Sequence, residues 1–347
     1  MPKGLARLIE QQCEHERAVE AWHALQRHVP SGTVDASVGG LTICSVAFRA
    51  KACLDLNDLL MRRLNPDTAR PHWLLYDNNV ELSEMIRRDD PRFTVVDGGG
   101  GRDFTLGYDH ALGIGTLLSR VRTRFLLILD PDCFIVMPDW ISRVTAHMAE
   151  RGLGFFGTPI NPRRHNSYRY FPYMVCMFVD LMRVPLRDLC FVPDVFRLRA
   201  NLTYRARRVV TRMPKAGFLF RWLLTEQYKT NGWRIKRQYG RGDRVKFECV
   251  QPVWDVNNAI PPGSIKRAIH NLTPASVSPV PKRPGYVSPH GFRDLGAPDV
   301  ARLGWEEFVW RDRPFAFHVG SVHAQPGKYE RQLDAVVWQF TQQTAAD

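Results

Sequence analysis

The chain reads as an α/β protein with a Rossmann-like, mostly parallel central sheet and helices on both faces. Two observations predict this. Over roughly the first 140 of its 347 residues, short apolar runs alternate with segments of helical period. Three of those runs end in aspartate, at Asp77, Asp97 and Asp130-Pro131-Asp132. In open α/β sheets, ligands bind beyond the carboxyl ends of the strands, so this pattern delivers carboxylates to one ligand-binding edge.

The elements follow in order. The N-terminal stretch carries Leu5, Leu8, Ile9, Ala18, Trp22 and Leu25 at helical spacing among charged residues. It suits an amphipathic helix packed on the body and lacks the pattern of a signal peptide. "LTICSVAF" (41–48) reads as a buried strand and "KACLDLNDLLMRRL" (51–64) as a helix with Leu54, Leu59, Leu60 and Leu64 apolar. "HWLLYDNN" (72–79) is a second strand, "LSEMIRRD" (82–89) a short helix, and "FTVVDGGGG" (93–101) a third strand ending in glycines. "GYDHALGIGTLLSRV" (107–121) is a helix and "RFLLILD" (124–130) a fourth strand. "WISRVTAHMAE" then reads as a helix, "LGFFGTPI" as a strand, and "YRYFPYMVCMFVDLMRV" as one or two strands. "GFLFRWLLTEQYKTNG" is helical in pattern, and residues 251–300, rich in proline, serine and glycine, predict a long irregular excursion.

Composition narrows the function classes. The apolar fraction of 44% supports a sizeable core, and no apolar run approaches the roughly 18 residues of a transmembrane helix. Seven cysteines without a C-x-x-C pair suit buried free thiols in a reducing compartment and argue against a cysteine zinc site. Two N-x-T matches, at Asn201 and Asn271, are read as chance. The net charge of +13 calls for an anionic partner: nucleic acid, anionic membrane or a phosphate-bearing substrate. No helix-turn-helix, zinc finger or RNP-like motif supports nucleic acid. The glycine run at 98–101 is neither G-x-G-x-x-G nor a P-loop, and "GIG" at 113–115 lies inside a helical pattern.

The chemistry concentrates in "FLLILDPDCF" (125–134). Two aspartates one residue apart can share a hard divalent cation and leave positions open for diphosphate oxygens. The same dipeptide can also end a strand in an ordinary surface turn.

These stretches together resemble a GT-A fold glycosyltransferase of the family 2 type. "LTICSVAF", "HWLLYDNN" and "RFLLILDPDCF" match the family's nucleotide-pocket strand, its acidic strand end and its metal-bearing strand. The resemblance covers about residues 40–240 and is strongest from 105 to 141. It implies an inverting transfer of a sugar from a nucleotide-diphosphate sugar, most simply a UDP-sugar, to a hydroxyl of a carbohydrate or lipid-linked acceptor. It implies Mn²⁺ or Mg²⁺ held by Asp132 and by His318 of "FHVGSV". Ser45, Ala47, Asp77 and Asp130 would bind the donor, and Glu226 of "LLTEQYKTNGWRIKR" would be the general base. Two stretches depart from the family: Ser45-Val46-Ala47-Phe48 stands for Pro-Thr-Tyr-Asn, and Thr225-Glu226 for Glu-Asp, which leaves Asp243 and Asp255 as rival bases.

The expected organisation is an N-terminal helical extension at 1–38, a catalytic domain at 39–250, and an irregular C-terminal segment at 251–347 that completes the site. Within the catalytic domain, the nucleotide-sugar half runs to about 140 and the acceptor half follows. A cytoplasmic protein, in peripheral contact with the anionic inner face of a membrane, fits the charge. A basic nucleic-acid-binding protein and a non-catalytic nucleotide-sugar-binding relative are the alternatives.

Overall fold

The computed structural model describes residues 3–35, 37–79, 81, 85–99, 106–160, 170–193, 231–254, 263, 264, 268, 282–320 and 329–343. Two sheets organise them. The larger comprises β1 (Leu41–Ala47), β2 (His72–Asp77), β3 (Thr94–Asp97), β4 (Phe125–Leu129), β6 (Leu153–Pro159), β7 (Pro172–Asp180) and β8 (Lys246–Cys249). Its strand order is β3-β2-β1-β4-β7-β6-β8. Six strands run in one direction and β7 alone opposes its neighbours β4 and β6. The smaller sheet has the order β5-β11-β10-β9, from β5 (Cys133–Ile135), β9 (Gln251–Pro252), β10 (Glu306–Trp310) and β11 (Arg313–His318).

Helices cover both faces of the large sheet. On one face α2 (Lys51–Leu64) and α4 (Trp140–Arg151) set Leu54, Met61, Trp140 and Val144 against Leu41, Ile43, Leu127 and Phe156. On the other, α1 (Lys3–Gln26), α3 (Leu106–Leu118) and α5 (Trp233–Tyr239) bury Trp22, Ile114, Leu117 and Ile235 against Cys44, Leu126 and Ile128. β1 and β4 are buried along their whole length, which explains their unbroken apolar sequence. The C-terminal helix α6 (Glu330–Gln343) packs beside α2 and closes a third core around Phe134, Phe317, Trp305 and Phe340.

The "GIG" of α3 is a packing device. A Cβ at Gly113 would stand 2.8 Å from Tyr76 Cδ1 and 3.0 Å from Val46 Cγ2, and one at Gly115 would stand 2.6 Å from the ring of Trp22. The helix therefore lies close on β1 and β2 and takes α1 on its outer side. Gly→Ala inside a helix ordinarily gains about 1 kcal/mol. At Gly113 the methyl has no room, so Gly113→Ala is expected to cost about 1–3 kcal/mol in chemical denaturation, opposite in sign to its helix propensity.

Several expectations change. Residues 85–89 do not form the helix read at 82–89; the carboxylate of Asp77 captures the Ile86 N–H at 2.6 Å and holds that stretch as an irregular loop. Where one or two strands were expected, the described residues 170–184 hold one, β7, in line with that reading. The C-terminal segment is not irregular throughout: β10 and β11 form a hairpin, and α6 follows. The irregular excursion holds for the described residues between 253 and 305, apart from short 3₁₀ turns at Arg293–Leu295 and Ala301–Leu303. Most of "GFLFRWLLTEQYKTNG" lies outside the described residues.

Candidate metal centre where the two sheets meet

Strand β4 carries the site. The chain order places β2 and β3 on one side of β1 and β4 on the other, so the sheet reverses its winding between β1 and β4. That crevice is where α/β sheets bind ligands. Asp130 follows β4 there. The turn behind it is fixed at three points. Asp130 N–H donates to Val175 O of β7 (2.9 Å), and Asn57 of α2 donates to Pro131 O (2.8 Å). Val319 N–H, just past β11, donates to Asp132 O (3.0 Å). After this turn the chain changes sheets, and β5 pairs with β11 so that Cys133 faces His318. Asp-Pro-Asp therefore marks the crossing from one sheet to the other, and that crossing brings a distant histidine to the acids.

His318 is buried. Its Nε2 lies 3.3 Å from Asp132 Oδ1, and its Nδ1 lies 2.9 Å from Oε2 of Glu306, its partner across the β10–β11 hairpin. Burial alone would lower the imidazole pKa. The carboxylates of Asp132 and Glu306 outweigh it and raise the value to about 10. Glu306 fixes the ring so that Nε2 faces the aspartates, the second-sphere arrangement typical of metal-ligating histidine.

Oxygen and nitrogen atoms of Asp130, Asp132 and His318 all lie within 4.8 Å of one another. Asp130 Oδ1 is buried and accepts no hydrogen bond, although His110 Nε2 of α3 stands 3.1 Å away. A buried carboxylate oxygen without a hydrogen bond, beside a second carboxylate and an oriented imidazole, suits a cation such as Mn²⁺ or Mg²⁺. The residues present thus fit the ion. Among the described residues this is the cluster of His, Cys, Asp and Glu with that geometry.

The other residues singled out from the sequence have different surroundings. The Ser45 hydroxyl is buried, donates to Leu129 O (2.8 Å) and receives Trp73 Nε1 (3.3 Å), tying β1 to the last residue of β4. Ala47, Asp77 and Asp97 stand in one row across β1, β2 and β3 at the ligand edge. Asp77 is buried; its Oδ1 accepts Asn79 N (3.2 Å) and Nδ2 (2.6 Å), and its Oδ2 accepts Ile86 N. Burial pushes its pKa upward against those hydrogen bonds. Asp243 lies in an exposed turn before β8, which runs parallel to β6, so it sits at the edge opposite the metal centre. Glu226 and Asp255 lie outside the described residues.

Sequence reasoning missed His110 and Glu306. His110 had no motif to mark it, since only packing of α3 on the sheet brings it to Asp130. Glu306 could have been found by reading "EEFVWRDRPFAFH" as a hairpin, which sets an acid opposite the histidine.

No family model matches the chain, and no curated protein matches it. Among solved structures it is similar in part to the Pyrobaculum calidifontis mannosyltransferase PcManGT in complex with GDP-Man and Mn²⁺. That match has 13% identity and TM-score 0.32, and covers 50% of this chain and 55% of the other. It is also similar to galactosyltransferase LgtC in complex with donor and acceptor sugar analogs, with 12% identity, TM-score 0.31, and coverage of 43% and 62%. A third, S. aureus TarS in complex with UDP-GlcNAc, has 9% identity, TM-score 0.26, and coverage of 35% and 34%. In each case the match spans less than two thirds of the other protein. Such distant likeness carries no weight on function, and the case for this site rests on its own strand order and side chains.

Proposed function

We propose that the protein is a GT-A type glycosyltransferase that moves a sugar from a nucleotide-diphosphate sugar to an acceptor hydroxyl, with inversion and with a divalent cation. The observation that carries this reading is the convergence of Asp130, Asp132 and His318 at the switch point of an α/β sheet. Asp132 and His318 would hold Mn²⁺ or Mg²⁺, with Asp130 beside them toward the donor ribose. When bound, the ion supplies Lewis-acid stabilisation of the charge that builds on the leaving diphosphate.

The chain's own residues do the rest. Glu306 orients His318 from behind. His110 stands beside Asp130. The row of Ala47, Asp77 and Asp97 offers the nucleoside a floor beside the metal centre, where Ser45 ties β1 to β4 and Asp77 braces the loop that follows β2. An acceptor hydroxyl has a pKa far above 7 and needs a base as it attacks. Glu226 is assigned that role. Asn231, five residues later in the chain, donates to Gly107 O in the first turn of α3, one turn before His110. A UDP-sugar is the proposed donor, and the acceptor is a carbohydrate or lipid-linked saccharide. No helix among the described residues is long and apolar enough to cross a membrane. Peripheral contact of the basic surface with an anionic inner membrane face belongs to the same proposal.

Thermal unfolding tests it. UDP with Mn²⁺ is expected to raise Tm more than either alone, because each completes the other's coordination. Equal shifts for UDP in Mn²⁺ and in EDTA would remove the metal from the reading.

A further inference from the structure

One polar side chain at the ligand edge lacks a partner. Asn78 directly follows β2, and only 4% of it is exposed. Its backbone prolongs the sheet: Asn78 N–H donates to Ala47 O of β1 (3.0 Å), and Gly98 N–H donates to Asp77 O (2.8 Å). Its side-chain amide makes no hydrogen bond among the described residues. The polar groups on either side are engaged. Asp77 Oδ1 accepts the Asn79 N–H and Nδ2–H, and Asp77 Oδ2 accepts the Ile86 N–H. Asn79 Oδ1 accepts the Arg49 N–H. An amide offers two donor hydrogens and an acceptor oxygen, and burying them unmade is costly. A nearly buried amide without a partner in the chain calls for one from outside it.

The pleat places this amide. Leu74 and Tyr76 of β2 pack in the core on the α3 face of the sheet, and Trp73 and Leu75 in the core on the α2 face. The same alternation puts Asp77 and Asn79 toward α2, where they bind each other, and Asn78 toward α3. Asp130 lies on the α3 face too, with His110 of that helix 3.1 Å away. One strand, β1, separates β2 from β4, so Asn78 and Asp130 stand roughly 10 Å apart along one face of the ligand edge. Half-buried Phe48, the residue after β1, comes between them in strand order. A nucleoside whose ribose meets Asp130 would cross β1 and bring its base to Asn78.

We propose that Asn78 is the specificity-determining residue for the donor's base, its amide pairing with an edge that sets a donor beside an acceptor, as N3–H and O4 do in uracil. The assignment rests on the nucleotide-sugar reading above and deepens it. It moves base recognition off Asp77, whose two carboxylate oxygens already hold the loop that follows β2. In the pairing, Asn78 Oδ1 accepts the N3–H and Asn78 Nδ2 donates to O4.

The test is calorimetric titration of the full chain in Mn²⁺ with UDP, with N3-methyl-UDP, with GDP and with pyrophosphate, which has no base. The parent is expected to bind UDP about tenfold or more tighter than N3-methyl-UDP. Asn78→Ala is expected to bind UDP about 10–100-fold more weakly and no better than N3-methyl-UDP, with pyrophosphate affinity within about twofold of the parent. Asn78→Asp keeps an acceptor for N3–H, loses the donor to O4 and suits the paired N1–H and N2–H donors of guanine, so its preference for UDP over GDP is expected to fall. Because the amide has no partner in the chain, Asn78→Ala is expected to melt close to the parent without nucleotide. UDP affinity unchanged in Asn78→Ala would overturn the assignment and leave the amide bonded to water only. A parent that prefers GDP to UDP would overturn the pairing with uracil. Parallel losses of UDP and pyrophosphate affinity, or a large fall in Tm, would also overturn it, by making Asn78 a support of the metal centre or of the fold. If the parent binds Mn²⁺–pyrophosphate but no nucleoside diphosphate, the nucleotide-sugar reading itself fails and takes this assignment with it.

Discussion

Asp132→Ala is expected to weaken Mn²⁺ binding on the order of 100-fold or more and to abolish metal-dependent donor binding. The carboxylate is one of three groups that converge at the switch point. Loss of even an outer-sphere partner costs about 10–100-fold in metal affinity, so loss of a ligand costs at least as much. Titration of Mn²⁺ by electron paramagnetic resonance measures this without activity. Unchanged Mn²⁺ affinity would move the ion elsewhere. The metal-free protein responds differently, because Asp132 also faces buried His318. The histidine pKa is about 10 in the fold and 6.5 as an isolated group. A raised basic pKa adds stability that is complete below 6.5 and is lost as pH rises through 10. Asp132→Ala is therefore expected to lower Tm below pH 6.5 and to have little effect well above pH 10. The fold should survive in both cases, since the backbone of the turn is held by Asn57, Val175 and Val319.

Glu226→Gln is expected to lower turnover by roughly 10²–10⁴-fold with donor affinity nearly unchanged. A general base acts as the hydroxyl attacks and contributes little to binding the nucleotide. The measurements are kcat for sugar transfer and Kd for the nucleotide in Mn²⁺. Transfer near the parent rate would discharge Glu226 from the role. The search would then turn to Asp255, because Asp243 stands at the edge of the sheet opposite the metal centre. A fall in nucleotide affinity alone would place Glu226 in the donor pocket.

Local pattern was enough to find six of the seven strands of the large sheet; the seventh, β8, is a short, half-exposed edge strand that its composition did not mark. Strands β1, β2 and β4 are buried runs whose spacing and composition are visible without any partner, and the helices between them have clear period. The aspartates at 77, 97, 130 and 132 were legible because each ends or closely follows a strand-like run, that of β3 included although it is only partly buried, so chain order alone put them on one edge. Local pattern misled where one side chain decided the backbone. The stretch 85–89 has helical composition, but a hydrogen bond from Ile86 to Asp77 holds it in a loop. The β10–β11 hairpin was obscured because its strands are short and flank the charged turn Arg311-Asp312, whose backbone is left-handed at both residues.

By itself, then, the sequence determined a mostly parallel α/β sheet and the acids at its carboxyl edge, because strand burial and strand direction are written in contiguous residues. The tertiary structure decided what those acids face. Residue 318 reaches Asp132 only because β5 leaves the large sheet and pairs with β11, a contact between segments more than 180 residues apart. Glu306 stands behind that histidine through cross-strand register, and His110 stands beside Asp130 through the close seating of a glycine-bearing helix. Such pairings depend on where separate elements pack, and no local periodicity records them.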